Sequence, residues 1–461
     1  MFHRRFSLRP AAWLLTAAVL LSLSFAQTGK RPLNHNDYGG WRSISSQRLS
    51  PDGKFLAYGL FPQEGDGVVV VRNLVTGKEQ REPAGERPAP VPAATPEEGP
   101  PAEARAVTIA FSPDSRTLVF STFPAKADTD KAKKEKKTAE QMPKDGMVIV
   151  DLAAGNATRI ERVKRFQLPE KINGYLAYLR EAPETTPAAS PSPQKKAGGG
   201  GADQQGGRGG RGGGAAGAAG AGARPEFGSD LMLRNLADST ERTFPDVVEF
   251  SLADDAKQLV YAVSAKDTAK NGVFVARPGA PDAAAAPAAL LAGKGKYAKL
   301  TWDENQTELA FLSDRDDAKP TWKLYRWDRH AGAAEQVASS DTPGFRKEFV
   351  ISDKGNLSFS KDGTRVFFGC APPVPDKPAD TGADASSDDK AVVDLWSWKD
   401  DYVQPVQKVR AARDRNRTYM AAYLIPERRV VQLGDAAMAE VTPSESAQWV
   451  LGSDDREYRP L

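Results

Sequence analysis

Ser50-Pro51-Asp52-Gly53-Lys54-Phe55-Leu56-Ala57-Tyr58 is the stretch on which the fold turns. It joins a tight polar turn to a run that alternates with period two. Proline presets φ at the second turn position, Asp52 can bond the backbone ahead of it, and Gly53 accepts positive φ. Period two puts Leu56 and Tyr58 on one sheet face, to be packed against a neighbouring sheet. The unit recurs. Ser112-Pro113-Asp114-Ser115 precedes Leu118/Phe120, and Ser360-Lys361-Asp362-Gly363 precedes Val366/Phe368. Less sharply marked are Leu176/Tyr178, Leu259/Tyr261, Leu309/Phe311 and Trp449/Leu451. The pairs lie roughly 50 to 80 residues apart, and a repeat of about 40 to 50 residues built from short strands, lengthened here by insertions, is the mark of a β-propeller with one sheet per repeat.

A second hairpin follows most pairs. Val68-Val69-Val70-Val71 leads into Leu74-Val75-Thr76-Gly77-Lys78, and Met147-Val148-Ile149-Val150 into Ala154-Gly155-Asn156. Leu231-Met232-Leu233 with Asp238-Ser239, and Trp322 to Tyr325 with Ala331-Gly332, repeat the pattern. Two hairpins per unit predict an all-β propeller of about seven four-stranded blades over residues 27–461. In the sixth unit, Ala411 to Pro426 is expected to add a short helix and an extra hairpin. The seventh unit has no second hairpin after Trp449-Val450-Leu451, which would leave an unpaired strand edge. Either the strand near Trp41 to Leu49 closes the ring, or the chain is the front part of a longer protein; the second is the preferred expectation.

Residues 1–26 read as an export signal rather than as part of the fold. Arg4, Arg5 and Arg9 form a basic region, Ala11 to Leu23 an apolar one, and Ser24-Phe25-Ala26 offers small residues for cleavage. The apolar run is too short for a stable membrane span. Arg4-Arg5-Phe6-Ser7-Leu8 departs from a twin-arginine signal at Ser7, so ordinary export to a bacterial periplasm or exterior is expected. Losing this segment removes the formal charge of +3 and leaves the two signs balanced. Nothing then points to nucleic acid or an anionic membrane as partner. Cys370 is the single cysteine and has no internal disulfide partner; it reads as a small buried strand residue.

Four segments read as solvated insertions: Pro83 to Pro101, Lys126 to Lys144, the tract at 195–224, and Pro372 to Asp389. The third contains Gly198 to Arg224, built almost entirely of Gly, Ala, Arg and Gln with no aromatic residue on which a base could stack. It is expected to be a disordered loop within a blade rather than an RNA-binding tract. The four together suggest elaboration of one rim.

No catalytic constellation is visible. Beyond the signal there are two histidines, His35 in Asn34-His35-Asn36-Asp37 and His330 at an expected hairpin turn. Both read as polar loop residues. The chain has no Gly-x-Ser-x-Gly elbow, no His-Glu-x-x-His pair, no paired cysteines and no Gly-Lys-Ser/Thr phosphate loop. No catalytic, cofactor-binding or metal-binding residue is therefore named, and no cofactor is expected. Carboxylate chemistry stays open, since spacing alone does not pair acids.

The Ser-Pro-Asp-Gly-x-x-Leu-x-Tyr units resemble the TolB-like propeller repeats of exported bacterial proteins. Three further stretches sharpen the resemblance: Asp394-Leu395-Trp396-Ser397-Trp398-Lys399-Asp400, the run from Gln404-Pro405-Val406-Gln407 to Arg417, and Gly452-Ser453-Asp454-Asp455-Arg456-Glu457-Tyr458-Arg459. With the signal and the insertions, the chain resembles the N-terminal propeller of exported bacterial prolyl oligopeptidase-family serine peptidases. The resemblance implies a C-terminal α/β-hydrolase domain carrying a Ser-Asp-His triad, with the propeller restricting access to peptides. None of that domain lies in these residues, so no triad residue is carried over. Two readings follow: a non-catalytic, substrate-gating propeller partnered by a hydrolase domain and peptide substrates, or a stand-alone periplasmic propeller that binds a protein.

Overall fold

The computed structural model describes residues 33–89, 105–181, 227–280, 286–315, 321–373, 396–397, 400 and 402–458. The leader at 1–26, the tract at 195–224 and most of Asp394 to Asp400 lie outside them. The described chain is an up-and-down succession of antiparallel sheets, as the period-two runs require. Blade one holds β1 (Arg42–Leu49), β2 (Phe55–Pro62), β3 (Asp66–Asn73) and β4 (Glu79–Glu86) in that order. Blade two holds β5 (Ile109–Phe111), β6 (Thr117–Thr122), β7 (Gly146–Asp151) and β8 (Ala157–Glu161).

Blades three and four are fused into one seven-stranded sheet: β9 (Val163–Gln167), β10 (Tyr175–Arg180), β11 (Ser229–Asn235), β12 (Glu241–Leu252), β13 (Leu259–Val263), β14 (Gly272–Ala276) and β15 (Ala288–Ala292). The long strand β12 ends one blade and begins the next. It bends at Asp246, which has φ 57°. Blade five follows with β16 (Tyr297–Trp302), β17 (Glu308–Ser313), β18 (Lys323–Asp328) and β19 (Glu335–Ala338). In blade six an interrupted inner strand, β20 (Val350–Ile351) and β21 (Ser358–Phe359), pairs with β22 (Arg365–Ala371), then β23 (Tyr419–Leu424) and β24 (Arg429–Gln432). The seventh unit is a two-stranded sheet, β25 (Glu440–Pro443) and β26 (Val450–Ser453).

The turn that begins the argument is built the same way six times. In the second blade Ser112 N–H donates to the Thr117 carbonyl (2.8 Å), Ser115 N–H to the Ser112 carbonyl (2.8 Å), and Thr117 N–H to Ser112 Oγ (2.9 Å). The fourth turn residue is always left-handed: Gly53, Ser115, Ala256, Gln306, Gly363 and Ala447 have φ between 50° and 71°. Three of these turns, at Ala253, Asp303 and Ser444, lack the Ser-x-Asp spelling of the other three. At Asp303 the side-chain carboxylate accepts the Glu308 N–H (2.7 Å) and takes over from the serine hydroxyl.

Packing follows the alternation. Leu118 and Phe120 join blade one's Ala57, Phe61, Val69 and Val71, while the intervening Val119 faces blade three with Leu176 and Tyr178. Leu259 and Tyr261 pack toward blade three, Leu309 and Phe311 toward blade four, and Val366 and Phe368 toward blade five. Each side chain so buried contributes about 1.5–3 kcal/mol, which is why the sheets stack. The first and last pairs differ. Leu56 and Tyr58, expected to pack on a neighbour, are half-buried, and Trp449 and Leu451 are 76% and 74% exposed.

Three expectations are corrected. The Tyr419–Leu424 and Arg429–Gln432 strands are not an extra hairpin; they are the outer half of blade six, pushed downstream by the insertion. The strand near Trp41 to Leu49 is the inner strand of blade one, paired with β2, and has no pairing with the seventh unit among the described residues. Finally, the charged run from Lys126 contains a helix, Lys126–Lys134, with Ala132 buried.

Candidate functional site

The two ends of the blades are unequal. First-to-second and third-to-fourth strand turns lie at one end; the second-to-third turns and the crossings to the next blade lie at the other. The four longest connections, β4–β5, β6–β7, β10–β11 and β22–β23, all leave from that second end. There, between blades one and two, lies a cleft of about 1090 Å³.

Its walls come from strand ends. Pro62 closes β2, Pro88 follows β4, and Pro124 and Pro143 bracket the β6–β7 connection; a residue with no N–H ends a ladder and stiffens the rim. The helices are numbered α1 (His35–Tyr38), α2 (Lys126–Lys134) and α3 (Gln404–Arg415). Helix α2 starts at the cleft, where its own Ala125 supplies no side-chain cap. Blade one supplies it instead: Lys126 N–H donates to Asp66 Oδ1 (2.8 Å), placing an anion at the positive helix end. Glu86 Oε1 accepts from Lys126 Nζ (2.8 Å) and from the Gly65 N–H (3.3 Å), and that carboxylate raises the lysine's pKa. Arg105 is bonded to Asp145 across the rim.

The floor holds Arg87. Its guanidinium lies 4.5 Å from the centre of the Phe61 ring and donates to Ser45 Oγ (3.1 Å), while its Nε is buried without an acceptor. Phe61 can sink there because Gly59 and Gly67 offer no side chain: a Cβ on Gly67 would come 2.2 Å from the ring. At the lip an aromatic ladder stands in solvent, His35 on Tyr38 (5.7 Å) and Tyr38 edge-on to Trp41 (4.9 Å). Trp41 is half exposed and lines the cleft.

Towards the axis, the inner strands are latched to one another. Glu249 accepts the N–H groups of Lys299 (2.7 Å) and Leu300 (3.1 Å) in the next blade. Burial pushes its carboxyl pKa up, against those two donors and the charges of Arg165 and Lys299. Gln167 bonds both the N–H and the carbonyl of Leu252 (3.0 Å each). These groups hold blades together; they bring no nucleophile to a base.

The histidines stay apart from any such group. His35 sits in the short helix α1, not in an open loop, and His330 lies in the exposed β18–β19 turn. His330 borders a smaller cleft of about 610 Å³ among turns of blades three to five, beside an Arg329 clamped to Asp255 (2.7 and 2.8 Å). Cys370 is buried, donates to the Tyr419 carbonyl (3.1 Å), and burial raises its pKa. No group of three metal-ligating side chains occurs among the described residues, and none of their helices is long and apolar enough to cross a membrane. The cleft was not legible beforehand. Its residues are drawn from Trp41 to Asp145 across two blades, and none carries a motif.

No family model and no curated protein matches the chain. Among solved structures it is similar to a prolyl endopeptidase from a study of two such enzymes, at 13% identity over 79% of this chain and 45% of that one, TM-score 0.35. It is similar to a Pyrococcus horikoshii acylaminoacyl peptidase at 9% identity, over 74% of this chain and 44% of that one, TM-score 0.33. It is also similar to the β-propeller domain of the Trilobed protease from Pyrococcus furiosus, described as having an open velcro topology. That match has 10% identity over 73% of this chain and 79% of the domain, TM-score 0.34. The chain thus spans less than half the length of the first two. Likeness at these scores adds nothing to the sheet order that already defines the blades.

Proposed function

We propose that this chain is the non-catalytic, substrate-gating propeller of an exported prolyl oligopeptidase-like serine peptidase, with peptide hydrolysis carried by a C-terminal α/β-hydrolase domain. The observation that carries the reading is the asymmetry of the blades. One end is trimmed mostly to tight turns, and the other bears the four longest connections and the larger cleft, as a surface turned toward a second domain and its substrate would. Export to the periplasm or exterior is part of the proposal and rests on the Arg4 to Ala26 segment. A second reading, a stand-alone periplasmic binding propeller, draws on the cleft being walled entirely by blades one and two. One experiment separates them. Native protein captured from its source with an antibody to this chain is treated with a fluorophosphonate probe. The expected result is a labelled serine in the captured protein and cleavage of short peptides but not of folded proteins. Absence of a labelled serine would hand the chain to the binding reading.

A further inference from the structure

We propose that the cleft between blades one and two binds a carboxylate-bearing peptide through Arg42, Arg87 and Lys133, beside Trp41. Of the carboxylates that line the cleft, Glu86 is taken by Lys126 and Asp145 by Arg105, and Glu64 has no salt bridge among the described residues; Asp66, beside it, caps the helix N–H of Lys126. Of its cations, Lys126 is spent, but Arg42 and Lys133 have no ion pair among the described residues. Arg87 bonds a serine hydroxyl and, among the described residues, no carboxylate. Three cations without an ion pair among the described residues therefore face one lining acid without one.

A guanidinium left without its full set of acceptors is a costly arrangement in a half-buried site. A carboxylate is the group that matches its fork. The remaining wall is apolar and rigid: Trp41, Pro62, Pro88, Pro124 and Met142. It suits a proline or aromatic neighbour of that carboxylate. The cleft also opens beside β1, whose second edge has no strand partner among the described residues, and an extended backbone is what pairs with such an edge. The choice of a peptide as carrier rests on the function proposed above; the choice of a carboxylate does not.

The test compares two fluorescein-labelled, C-terminally amidated hexapeptides, Ala-Pro-Asp-Ala-Pro-Phe and its Asn counterpart, by anisotropy on the full chain. The aspartyl peptide is expected to bind about tenfold more tightly. In the Arg42→Gln/Lys133→Gln double variant, both sites being at the surface, the preference should shrink to within about twofold. Equal affinity for the two peptides, or no binding of either, overturns the proposal. A preference that survives the double substitution overturns its location. A carboxylate preference in a protein without a labelled serine would leave this site standing and remove the gating function; a labelled serine without the preference would do the reverse.

Discussion

The second and seventh hairpins are the same object in different surroundings. Ser112 and Ser444 each donate their N–H to the carbonyl five residues on and receive the N–H of the residue three on, all at 2.8 Å. In each the fourth turn residue is left-handed, Ser115 at φ 57° and Ala447 at φ 56°. Yet Leu118 and Phe120 are fully buried, while Trp449 and Leu451 are three-quarters exposed. A hairpin's local chemistry thus makes the strands, and its neighbours alone decide whether the apolar pair stabilises anything. The blade is a local property; the core is a property of the stack.

The largest effect should come from breaking that comparison at its apolar pairs. Phe120→Ala is expected to cost about 3–5 kcal/mol, whereas Leu451→Ala should stay within about 0.5 kcal/mol, both read from urea midpoints. Equal costs would mean that the seventh hairpin is covered in solution. Next comes the backbone. Gly85 in β4 has φ +74°, and a Cβ there would lie 2.0 Å from the Phe123 carbonyl oxygen of blade two. Gly85→Ala should cost at least about 1–3 kcal/mol. Gly53→Ala, at φ +71° with nothing within 4 Å, should cost less, because serine, alanine and glutamine already hold that position in the sister turns.

Smaller still is the hydroxyl. Ser112 Oγ receives the Thr117 N–H at 2.9 Å and donates to Asp114 (2.6 Å), so Ser112→Ala should lose about 1 kcal/mol. Ser444→Ala should lose less: its partner is Ser446, and its bond to Trp449 N–H is long at 3.3 Å. The smallest effect is a pH dependence. The Ser50 and Ser360 hydroxyls, with backbone donors, hold Asp52 and Asp362 at about 2. Because these folded values lie below the unfolded one, their contribution is complete above the ordinary aspartate range and is lost as pH falls toward 2. Asp362→Asn should flatten that acid limb in thermal midpoints measured against pH. Ser446→Ala, in the turn that has no aspartate there, should leave it unchanged.

The strands were legible because alternation and turn chemistry are written in consecutive residues. The sister turns at Ala253, Asp303 and Ser444 escaped because the same hydrogen bonds tolerate Ala, Asp or Ser in the first position. The outer half of blade six was misplaced because an insertion separates it from β22. The cleft was illegible for a different reason. A cation without a partner, like Arg42 or Lys133, is defined by what fails to come near it, and that is settled only when two blades meet.

The strand Glu241–Leu252 is the last strand of one blade and the first of the next within a single seven-stranded sheet, so a chain reopened within it would be severed in two blades by a single cut, while one reopened at the Asp303 turn would keep every ladder whole. For anyone permuting or shuffling these repeats, the six full blades are not six interchangeable cassettes. The third and fourth must travel together.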